Sequence, residues 1–314
     1  MALKVTIIGT GAVGSTIAYA LTIKGVASEI LLVDINKNRA DGEALYIVQG
    51  TPFGSPVYVH SGEYEEAAGS DVVIYACGLA RKPGQSRLDL AQANVSVCKS
   101  VIPQITKAAP DAIYLIVANP VDILTYQFYK TSGLKPEQII GSGTSLDTSR
   151  LCEKIASHYG VSTNNVNAYI FGEHGDSSFS PWSLSTISGI SVDKYAEAVK
   201  DVKTVANIDH DATEEFVRKS GGWIIERKGA TFYAVATAVC YLCEVIESGV
   251  EETLAVSTLM NGEYGISDVA LSTLCTIGRK GVINKVHAPL TDEEVAKLQK
   301  SADALKAVIS QLSF

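Results

Sequence analysis

A glycine pattern near the start of the chain sets the strongest limit on what this sequence can fold into. The apolar run 3–8 has the length and composition of a buried parallel strand. Gly9, Gly11 and Gly14 follow it directly. In this spacing the first glycine permits a tight turn, the second lets a phosphate approach the backbone, and the third lets the next helix pack closely on the strand. The sequence therefore predicts a strand, a phosphate-binding turn and a helix over residues 12–24.

An acidic residue at the end of the next strand makes this pattern specific. Residues 29–33 form a second apolar run, and Asp34 ends it twenty residues after Gly14. A carboxylate at this distance accepts hydrogen bonds from the adenosine ribose hydroxyls of a dinucleotide and repels a 2′-phosphate. The pattern thus predicts NAD as the cofactor rather than NADP. The alternative is a loop aspartate that only caps the next helix.

Further apolar runs alternate with helical segments through the first half of the chain. They are residues 57–60, 71–76, 112–118 and 139–141. Such alternation predicts an α/β fold of the Rossmann type, a doubly wound parallel sheet with helices on both faces. Since 314 residues exceed what one core usually supports, we place a cofactor-binding domain at 1–141 and a second domain at 142–314.

The second half of the chain does not continue this alternation. Helical and strand patterns follow in an irregular order, which predicts a mixed α+β substrate domain. The segments are helices at 145–159, 207–226, 231–247 and 292–312, and strands at 166–171, 253–259 and 267–277. Thr291 and Glu294 have the spacing of a capping box at the start of the last helix.

Composition excludes several classes of protein. The chain has 26 Lys and Arg against 34 Asp and Glu, a net charge of -8, and no basic cluster of the kind that binds nucleic acid. No window approaches the roughly 18 apolar residues of a membrane span, and no signal peptide precedes the first strand. Six cysteines without disulfide-scaffold spacing fit a reducing compartment. We therefore expect a cytoplasmic protein without nucleic-acid or membrane partners.

Cys240 and Cys243 have the C-x-x-C spacing that redox and metal sites share. They lie inside the apolar helical run 231–247, however, whereas an activated thiol usually lies at a helix N-terminus. The sequence therefore predicts two buried core thiols.

The segment 77–87 combines glycines, a proline and three cations. Such residues are typical of a mobile lid that carries charge to an anionic ligand. Gly78, at its start, is a candidate contact to the cofactor, and Arg81 and Arg87 are candidate contacts to the substrate. The alternative is an ordinary solvated loop.

Asn119 directly follows the buried run 112–118. Ligands of doubly wound sheets bind beyond the carboxyl ends of the strands, so this amide is a candidate contact to the nicotinamide ribose or the substrate. Its alternative role is to open the turn before Pro120.

A lone imidazole between two glycines is the candidate reactive group. His174 lies in the sequence Gly-Glu-His-Gly-Asp, and upstream Asp147 and Arg150 lie three residues apart, hence on one face of the helix predicted at 145–159. The carboxylate can orient the imidazole, and the guanidinium can form a bidentate pair with a substrate carboxylate. A nicotinamide site, a proton donor and an anion clamp together predict hydride transfer to a 2-keto acid.

Two alternatives apply to this histidine loop. A lone histidine in a loop is often structural. Glu173, His174 and Asp176 could also be imagined as metal ligands, but adjacent residues seldom converge on one ion and no distant partner motif is visible. We therefore expect no metal.

Several motifs in the same order make the chain resemble the L-lactate and L-malate dehydrogenases over nearly its whole length. The motifs are the glycine pattern with Asp34, Ser86-Arg87-Leu88-Asp89-Leu90, Asn119-Pro120-Val121-Asp122, residues 146–150, residues 172–176 and Lys228-Gly229-Ala230-Thr231.

This resemblance implies an NAD-dependent L-2-hydroxy acid dehydrogenase. His174 would donate the proton when a keto acid is reduced, and accept it when the hydroxy acid is oxidised. Asp147 would fix the imidazole tautomer and favour the imidazolium. Arg150 would hold the substrate C1 carboxylate, and Arg87 would polarise the carbonyl once the lid closes.

The resemblance also implies further contacts and an assembly. Asn119 and Thr231 would touch the carbonyl region and the substrate pocket. The family suggests a homotetramer or dimer. In its allosteric bacterial lactate enzymes, fructose 1,6-bisphosphate is held by an arginine and a histidine at positions that are Cys152 and Asn167 here. The sequence therefore predicts no activation through that site.

Substrate choice follows from Arg81, because malate enzymes of the family have arginine there and lactate enzymes glutamine. Closing a lid over pyruvate would bury this guanidinium unpaired, whereas oxaloacetate brings a second carboxylate to it. We therefore expect malate and oxaloacetate. Glu173, Trp182 and the segment 228–231 look more like the lactate branch, so a lactate or dual enzyme is the alternative. Outside this class, the alternatives are a non-catalytic NAD-binding sensor and a metal-dependent hydrolase.

Overall fold

A computed structural model describes residues 3–79, 86–201 and 205–314. For Arg87 it describes the backbone and not the side chain. The strands are β1 (Leu3–Ile8), β2 (Ala27–Val33), β3 (Tyr58–Ser61), β4 (Val72–Tyr75), β5 (Ile113–Ile116), β6 (Ile139–Gly141), β7 (Val166–Asn167), β8 (Thr186–Ile187), β9 (Ile190–Ser191), β10 (Glu252–Asn261), β11 (Ser267–Gly278) and β12 (Gly281–Lys285). The α-helices are α1 (Ala12–Lys24), α2 (Lys37–Val48), α3 (Arg87–Ala108), α4 (Val121–Thr131), α5 (Ser145–Tyr159), α6 (Val192–Ala198), α7 (His210–Lys228), α8 (Tyr233–Ser248) and α9 (Asp292–Ile309).

One large sheet connects both halves of the chain, in the order β12-β11-β10-β6-β5-β4-β1-β2-β3. The strands β1 to β6 are parallel, which confirms the predicted doubly wound Rossmann sheet. The strands β10 to β12 are antiparallel and extend the same sheet beyond β6. The sequence did not predict this extension, and the domain boundary at residue 141 stays a prediction.

Both faces of the sheet are covered, so its strands are apolar at successive positions rather than at alternate ones. Ile7 and Ile8 are neighbours in β1, and both are buried, but their side chains belong to two different cores. Ile7 shares a core with residues of α1, α2 and α8, whereas Ile8 shares one with residues of α3, α4 and α9. This arrangement explains the uninterrupted apolar runs.

The strand predicted over 166–171 is wrong beyond its second residue. Only Val166–Asn167 pairs as a strand, in a small sheet with the order β7-β8-β9. The physical reason is that side chains, rather than a neighbouring strand, bind the backbone of Ala168 and Ile170, while Phe171 forms only an isolated bridge with Phe179.

Those side chains come from the start of α5 and the residue before it. The Thr144 hydroxyl donates to the carbonyl oxygen of Ile170, and the Thr148 hydroxyl accepts from the Ile170 N–H at 3.0 Å. One turn further on, the Cys152 thiol donates to the carbonyl oxygen of Ala168 at 3.6 Å. Groups at helical spacing thus satisfy the peptide groups that a strand partner would otherwise bind.

Several short or fully buried elements were not predicted from the sequence. They are α4, α6, β8, β9 and β12. In α4 the residues from Val121 to Phe128 are all buried, including the polar Asp122 and Gln127, so the polar residues of this segment do not mark an exposed helix face.

Two local predictions about the second half are confirmed. Thr291 and Glu294 form the capping box of α9, with reciprocal backbone bonds of 2.9 and 3.3 Å. Cys240 and Cys243 are fully buried free thiols in α8. Within the described residues, none of the helices is long and apolar enough to cross a membrane.

Candidate active site

The glycine turn after β1 forms a cradle at the carboxyl edge of the sheet. Gly9 has a φ of 95°, and a Cβ on it would lie 2.5 Å from Cα of Cys77. A Cβ on Gly14 would lie 1.9 Å from the carbonyl oxygen of Gly9, so α1 packs on this turn only with glycine there. A Cβ on Gly11 would meet no atom within 4 Å. The turn is therefore closely packed at Gly9 and Gly14 and open at Gly11. This shape fits a pyrophosphate bound at the N-terminus of α1.

Asp34 lies next to the glycine turn, directly after β2. Its Oδ2 accepts hydrogen bonds from the backbone N–H and the hydroxyl of Thr10, at 2.7 and 3.1 Å, and its Oδ1 accepts from the N–H of Asn36 at 2.8 Å. Asn36, not Asp34, caps α2 by accepting from Arg39 N–H at 3.1 Å. Because a carboxylate can accept about four hydrogen bonds, Asp34 keeps capacity for a ribose hydroxyl.

Asn94 on α3 joins two loops of the site. Its Oδ1 accepts from the N–H of Leu79 at 2.7 Å, and its Nδ2 donates to the carbonyl oxygen of Asn119 at 2.8 Å. A Cβ on Gly78 would lie 3.3 Å from the same Oδ1, so a side chain there would crowd Asn94. The Asn119 side chain accepts from Val121 N–H at 3.4 Å, a long bond at the start of α4.

His174, Asp147 and Arg150 form a connected group. Asp147 Oδ2 lies 2.5 Å from Nδ1 of His174, and Asp147 Oδ1 accepts from Nη1 of Arg150 at 2.6 Å. Asp147 is 7% exposed and Arg150 15%, so this ion pair is largely removed from water, whereas the imidazole is 30% exposed. The carboxylate thus orients the imidazole, and Nε2 is left for a reactant.

Burial and charge oppose each other in this group. Burial lowers the pKa of His174, but the charge and the hydrogen bond of Asp147 outweigh it, so the pKa is raised above the ordinary 6.5. Burial raises the pKa of Asp147, but His174 and Arg150 together hold it below its ordinary value. The group therefore favours an imidazolium paired with a carboxylate more than the isolated side chains would.

A second carboxylate holds the backbone of the histidine. Asp122, on the first turn of α4, is 3% exposed. Its Oδ2 accepts from the peptide N–H of His174 at 2.7 Å, and its Oδ1 accepts from the hydroxyl of Ser257 at 2.6 Å. Burial raises the pKa of Asp122 to about 6 despite these two bonds.

The histidine loop is also tied to the main sheet and to α9. Gly172 and Ser272 of β11 exchange two backbone hydrogen bonds, at 3.0 and 2.9 Å. The N–H of Glu173 donates to the hydroxyl of Ser301 at 2.8 Å. The loop is therefore held at several points along its length.

These side chains line a cavity of about 290 Å³. Its polar residues include five side chains predicted or found above and one further cation: Asn119, Asp147, Arg150, His174, Thr231 and Arg218. Its apolar wall includes side chains of α1, α5, α7 and α8: Val13, Leu146, Ile225, Val235 and Ala238. The cavity thus brings together an acid, an anion clamp and an apolar surface.

Arg218 is a cation of this cavity that the sequence did not predict. Its Nη1 donates to the carbonyl oxygen of Ser178 at 2.9 Å and to Oε2 of Glu214 at 3.1 Å. Glu214 is buried and also accepts from the Trp182 indole N–H at 2.9 Å. No sequence motif marks Arg218, because its partners are distant loops and its own helix.

Some predicted site residues lie outside the described residues. Arg81 falls in the segment 80–85, and only the backbone of Arg87 is described. Their predicted contacts to the substrate are therefore not tested. Asp122, in contrast, was part of the Asn-Pro-Val-Asp motif, and the position of this motif after the carboxyl end of β5 was a signal that Asp122 belongs to the site.

The metal alternative receives no geometric support from the residues that the structure describes. Among them, no group of three His, Cys, Asp or Glu side chains could hold a metal ion. Glu173 instead accepts from the N–H of Ser177 at 2.9 Å.

Comparisons with known proteins agree with the fold and identify the family. The lactate/malate dehydrogenase NAD-binding domain matches residues 3–141, and the α/β C-terminal domain of the same family matches residues 144–313. The match to this NAD-binding domain agrees with the glycine turn, and both identify NAD as the cofactor.

Similar proteins match over nearly the full length of both chains. The L-lactate dehydrogenase of Thermoanaerobacter pseudethanolicus is 43% identical over 312 residues, which are 98% of this chain and 99% of that protein. The L-lactate dehydrogenase of Acetivibrio thermocellus is 44% identical over 309 residues, 98% of this chain and 97% of that protein. The crystal structure of the minor L-lactate dehydrogenase from Enterococcus mundtii has a TM-score of 0.94 at 37% identity, covering 100% of this chain and 99% of that one. Because the two domains of one family match both halves of the chain and relatives match it over nearly its full length, the chain belongs to the lactate/malate dehydrogenase family.

Proposed function

We propose that the protein is an NAD-dependent L-lactate dehydrogenase, which interconverts L-lactate and pyruvate. The observation that carries the proposal is that relatives 43–44% identical over nearly the whole chain are named L-lactate dehydrogenase. The apolar wall of the catalytic cavity, formed by residues such as Val235 and Ala238, suits a substrate with an apolar side chain. The expectation of malate rested on Arg81, and the comparisons favour lactate instead.

In this proposal His174 is the proton donor to the carbonyl oxygen during reduction and the base during oxidation. Asp147 holds its Nδ1 and favours the imidazolium. Arg150 gives one nitrogen to Asp147, and its remaining N–H groups are available to the substrate C1 carboxylate. Arg87 would polarise the substrate carbonyl, and Asn119 and Thr231 would line the substrate.

The cofactor would lie along the carboxyl edge of the sheet, where it supplies or accepts the hydride. Gly9, Gly11 and Gly14 would cradle its pyrophosphate, and Asp34 would bind its adenosine ribose. Gly78 and Asn119 would lie along the rest of the dinucleotide. Support for this path comes from the open space at Gly11 and from Val13, which lies in the first turn of α1 and also lines the catalytic cavity.

The test is the steady-state oxidation of NADH with pyruvate and with oxaloacetate. We expect a higher kcat/KM for pyruvate. A preference of about tenfold or more for oxaloacetate would reject lactate and favour the second candidate, an L-malate dehydrogenase.

One observation favours that second candidate, the arginine at position 81. If Arg81 meets a second substrate carboxylate, Arg81→Gln should lower efficiency on oxaloacetate at least about thirtyfold, since truncating one side of a buried charge pair costs roughly 2–5 kcal/mol. An unchanged ratio of oxaloacetate to pyruvate efficiency would place this side chain away from the substrate.

We also propose that the chain forms a homo-oligomer, a tetramer or dimer. Large apolar side chains are exposed on α1, α2 and the turn after α2: Tyr19, Ile23, Leu45, Tyr46 and Phe53. Exposed apolar residues at this density are typical of subunit interfaces. Size-exclusion chromatography with light scattering should give the mass of two or four chains, and the mass of one chain would contradict the proposal.

A further inference from the structure

A second cavity, of about 990 Å³, adjoins the catalytic cavity. His174 and Arg218 line both cavities. The rest of the second cavity is lined mainly by α3, α4 and α9, whereas α5, α7 and α8 line the catalytic cavity. Its volume lies at the upper end of the range for small-molecule sites, roughly 300–1,000 Å³. The proposed reaction gives this space no occupant.

The wall that α9 contributes to this cavity changes in character along the helix. Lys297 and Lys300 line the cavity in the first half of α9, and Ala304, Leu305 and Val308 line it in the second half. Spacings of three and four residues place these side chains on one face of the helix. At 1.5 Å per residue this face is roughly 16 Å long. The cavity is thus cationic at one end of α9 and apolar at the other.

The apolar end of α9 lies beside the start of α3. Ser313, which follows α9, and Gln92 of α3 exchange two hydrogen bonds, at 2.9 and 3.3 Å. Leu88 and Ala91, near the N-terminus of α3, line the same cavity. Leu88 is 36% exposed although it is a large apolar side chain. This end of the cavity therefore has apolar surface that a ligand can cover.

The two lysines at the other end differ in their partners. A hydrogen bond with Glu293, and the charges of Glu214 and Asp211 on α7, raise the pKa of Lys297, whose Nζ lies 3.0 Å from the Glu293 carboxylate. Lys297 is therefore already paired. Lys300 is exposed and forms no ion pair within the described part of the chain. Its ammonium favours an anionic group at this end of the cavity.

Three acidic residues also line the cavity, but they leave Lys300 available. Asp122 accepts two hydrogen bonds from protein groups, and Glu173 accepts one from a backbone N–H. Asp176 is exposed to water, which weakens the effect of its charge on a neighbour. The positive charge of Lys300 is therefore not neutralised by a carboxylate bound to it.

We propose that this cavity binds a medium-chain aliphatic carboxylate, such as octanoate or decanoate. The carboxylate lies at Lys300, and the chain extends along Ala304, Leu305 and Val308 toward the start of α3. The chain gains apolar contact along this path, and the head group supplies the anion that Lys300 lacks. This inference goes beyond the proposed function and does not depend on which 2-oxo acid the enzyme reduces.

The test is isothermal titration calorimetry of the NADH-saturated protein with octanoate, decanoate and 1-octanol, below the concentrations at which they form micelles. We expect one molecule of carboxylate per chain. Decanoate should bind at least about tenfold more tightly than octanoate, since each buried methylene improves binding roughly fourfold. The neutral 1-octanol should bind about fivefold more weakly than octanoate, which is the upper value for an exposed ion pair.

Matched variants on α9 test each end of the cavity. Ala304→Phe fills the apolar end and should weaken decanoate binding at least about tenfold, whereas Ala307→Phe, away from the cavity lining, should leave it unchanged. Lys300→Gln should weaken octanoate binding about fivefold, and Lys306→Gln, also away from the lining, should not. All four positions are exposed, so each variant should melt close to the temperature of the unmutated protein.

Several outcomes would overturn the inference. Equal binding of decanoate by Ala304→Phe and Ala307→Phe would place the chain elsewhere, and equal binding of octanoate and 1-octanol would remove the need for an anionic head group. Loss of decanoate binding in Arg150→Gln would place the carboxylate in the catalytic cavity instead. A lack of binding up to the solubility limit would reject the site, while the proposed function is tested separately by NADH oxidation.

Discussion

His174 is held by two carboxylates that act on different parts of the residue. Asp147 on α5 binds the ring and supplies the charge that favours its protonated form. Asp122 on α4 binds the peptide N–H. The sequence predicted the first partner, because Asp147 and Arg150 share a helix face. It did not predict the second, because nothing local in the sequence shows that α4 meets the histidine loop.

The raised pKa of His174 predicts the pH dependence of the reaction. Reduction of the keto acid requires the imidazolium, so kcat/KM should fall as pH rises through the pKa of His174, above the ordinary 6.5. Asp147→Asn removes the charge that raises this pKa. The fall should therefore move to lower pH, and kcat should drop at least about a hundredfold.

The measurement is the pH profile of kcat/KM in both directions. Oxidation of the hydroxy acid needs the neutral imidazole, so its rising limb should move in parallel to lower pH. A profile in Asp147→Asn with an unmoved limb would show that another group sets the pH dependence.

Asp122 predicts a second pH effect, on stability rather than on turnover. Its folded pKa of about 6 is raised from the ordinary 3.8, so the folded state prefers the neutral acid. The contribution of this group to stability is present below pH 3.8 and is lost as pH rises through 6, by up to roughly 3 kcal/mol. Asp122→Asn stays neutral and can still accept from the His174 N–H.

We therefore expect Asp122→Asn to gain stability relative to the unmutated protein as pH rises from 4 to 7. The measurement is the difference in melting temperature between the two proteins across this range. A difference that stays constant with pH would mean that Asp122 titrates as an ordinary surface carboxylate.

At the scale of elements, α5 determines the path of the chain into the histidine loop. Its predicted bounds, 145–159, agree with the structure because its apolar and polar residues alternate with a helical period. The segment it binds was predicted as a long strand, because apolar extended residues give the same pattern whether their partner is a strand or a row of hydroxyl groups. Sequence periodicity reports burial of side chains and does not identify the partner of the backbone.

Thr148→Val tests this role, since it removes the hydroxyl that accepts from Ile170 N–H while it keeps the shape of the side chain. The buried N–H is left without a partner, which costs roughly 1–3 kcal/mol. We expect a lower melting temperature and a lower kcat, because His174 is carried by the loop that follows.

The control is Thr131→Val, at an exposed position where the hydroxyl only bonds to its own helix, at Gln127. That variant should change neither the melting temperature nor kcat by a comparable amount. Equal effects in both variants would mean that the contact between α5 and Ile170 has no special role.

At the scale of the whole molecule, the two halves are one sheet. The parallel part was predicted because strand and helix alternate there along the chain. The pairing of β6 with β10 was not, since these strands are separated by α5 to α8 and no short-range signal selects a partner at that distance. The candidate active site lies where the two parts meet, with the glycine turn on the parallel part and the histidine loop bonded to β11 of the antiparallel part.

Regulation by fructose 1,6-bisphosphate is expected to be absent. The Cys152 thiol is engaged with the carbonyl oxygen of Ala168, and Asn167 is an exposed amide in β7, so neither position supplies a cation for a phosphate. Initial rates at subsaturating pyruvate should not rise when fructose 1,6-bisphosphate is added at millimolar concentration. Strong activation that disappears on mutation of Asn167 would contradict this expectation.

The strand β10 is synthesised long after β6, its partner in the sheet, and this order has a consequence for the growing chain. When β6 leaves the ribosome, its outer edge has no strand beside it, and the partner that covers it begins only at Glu252. Until then the nascent chain carries an apolar strand with unpaired peptide groups at a sheet edge, a surface prone to association with other chains. A chain truncated after residue 150 should therefore self-associate, and light scattering would detect this. In cells, this edge would need protection until the remaining strands have been synthesised.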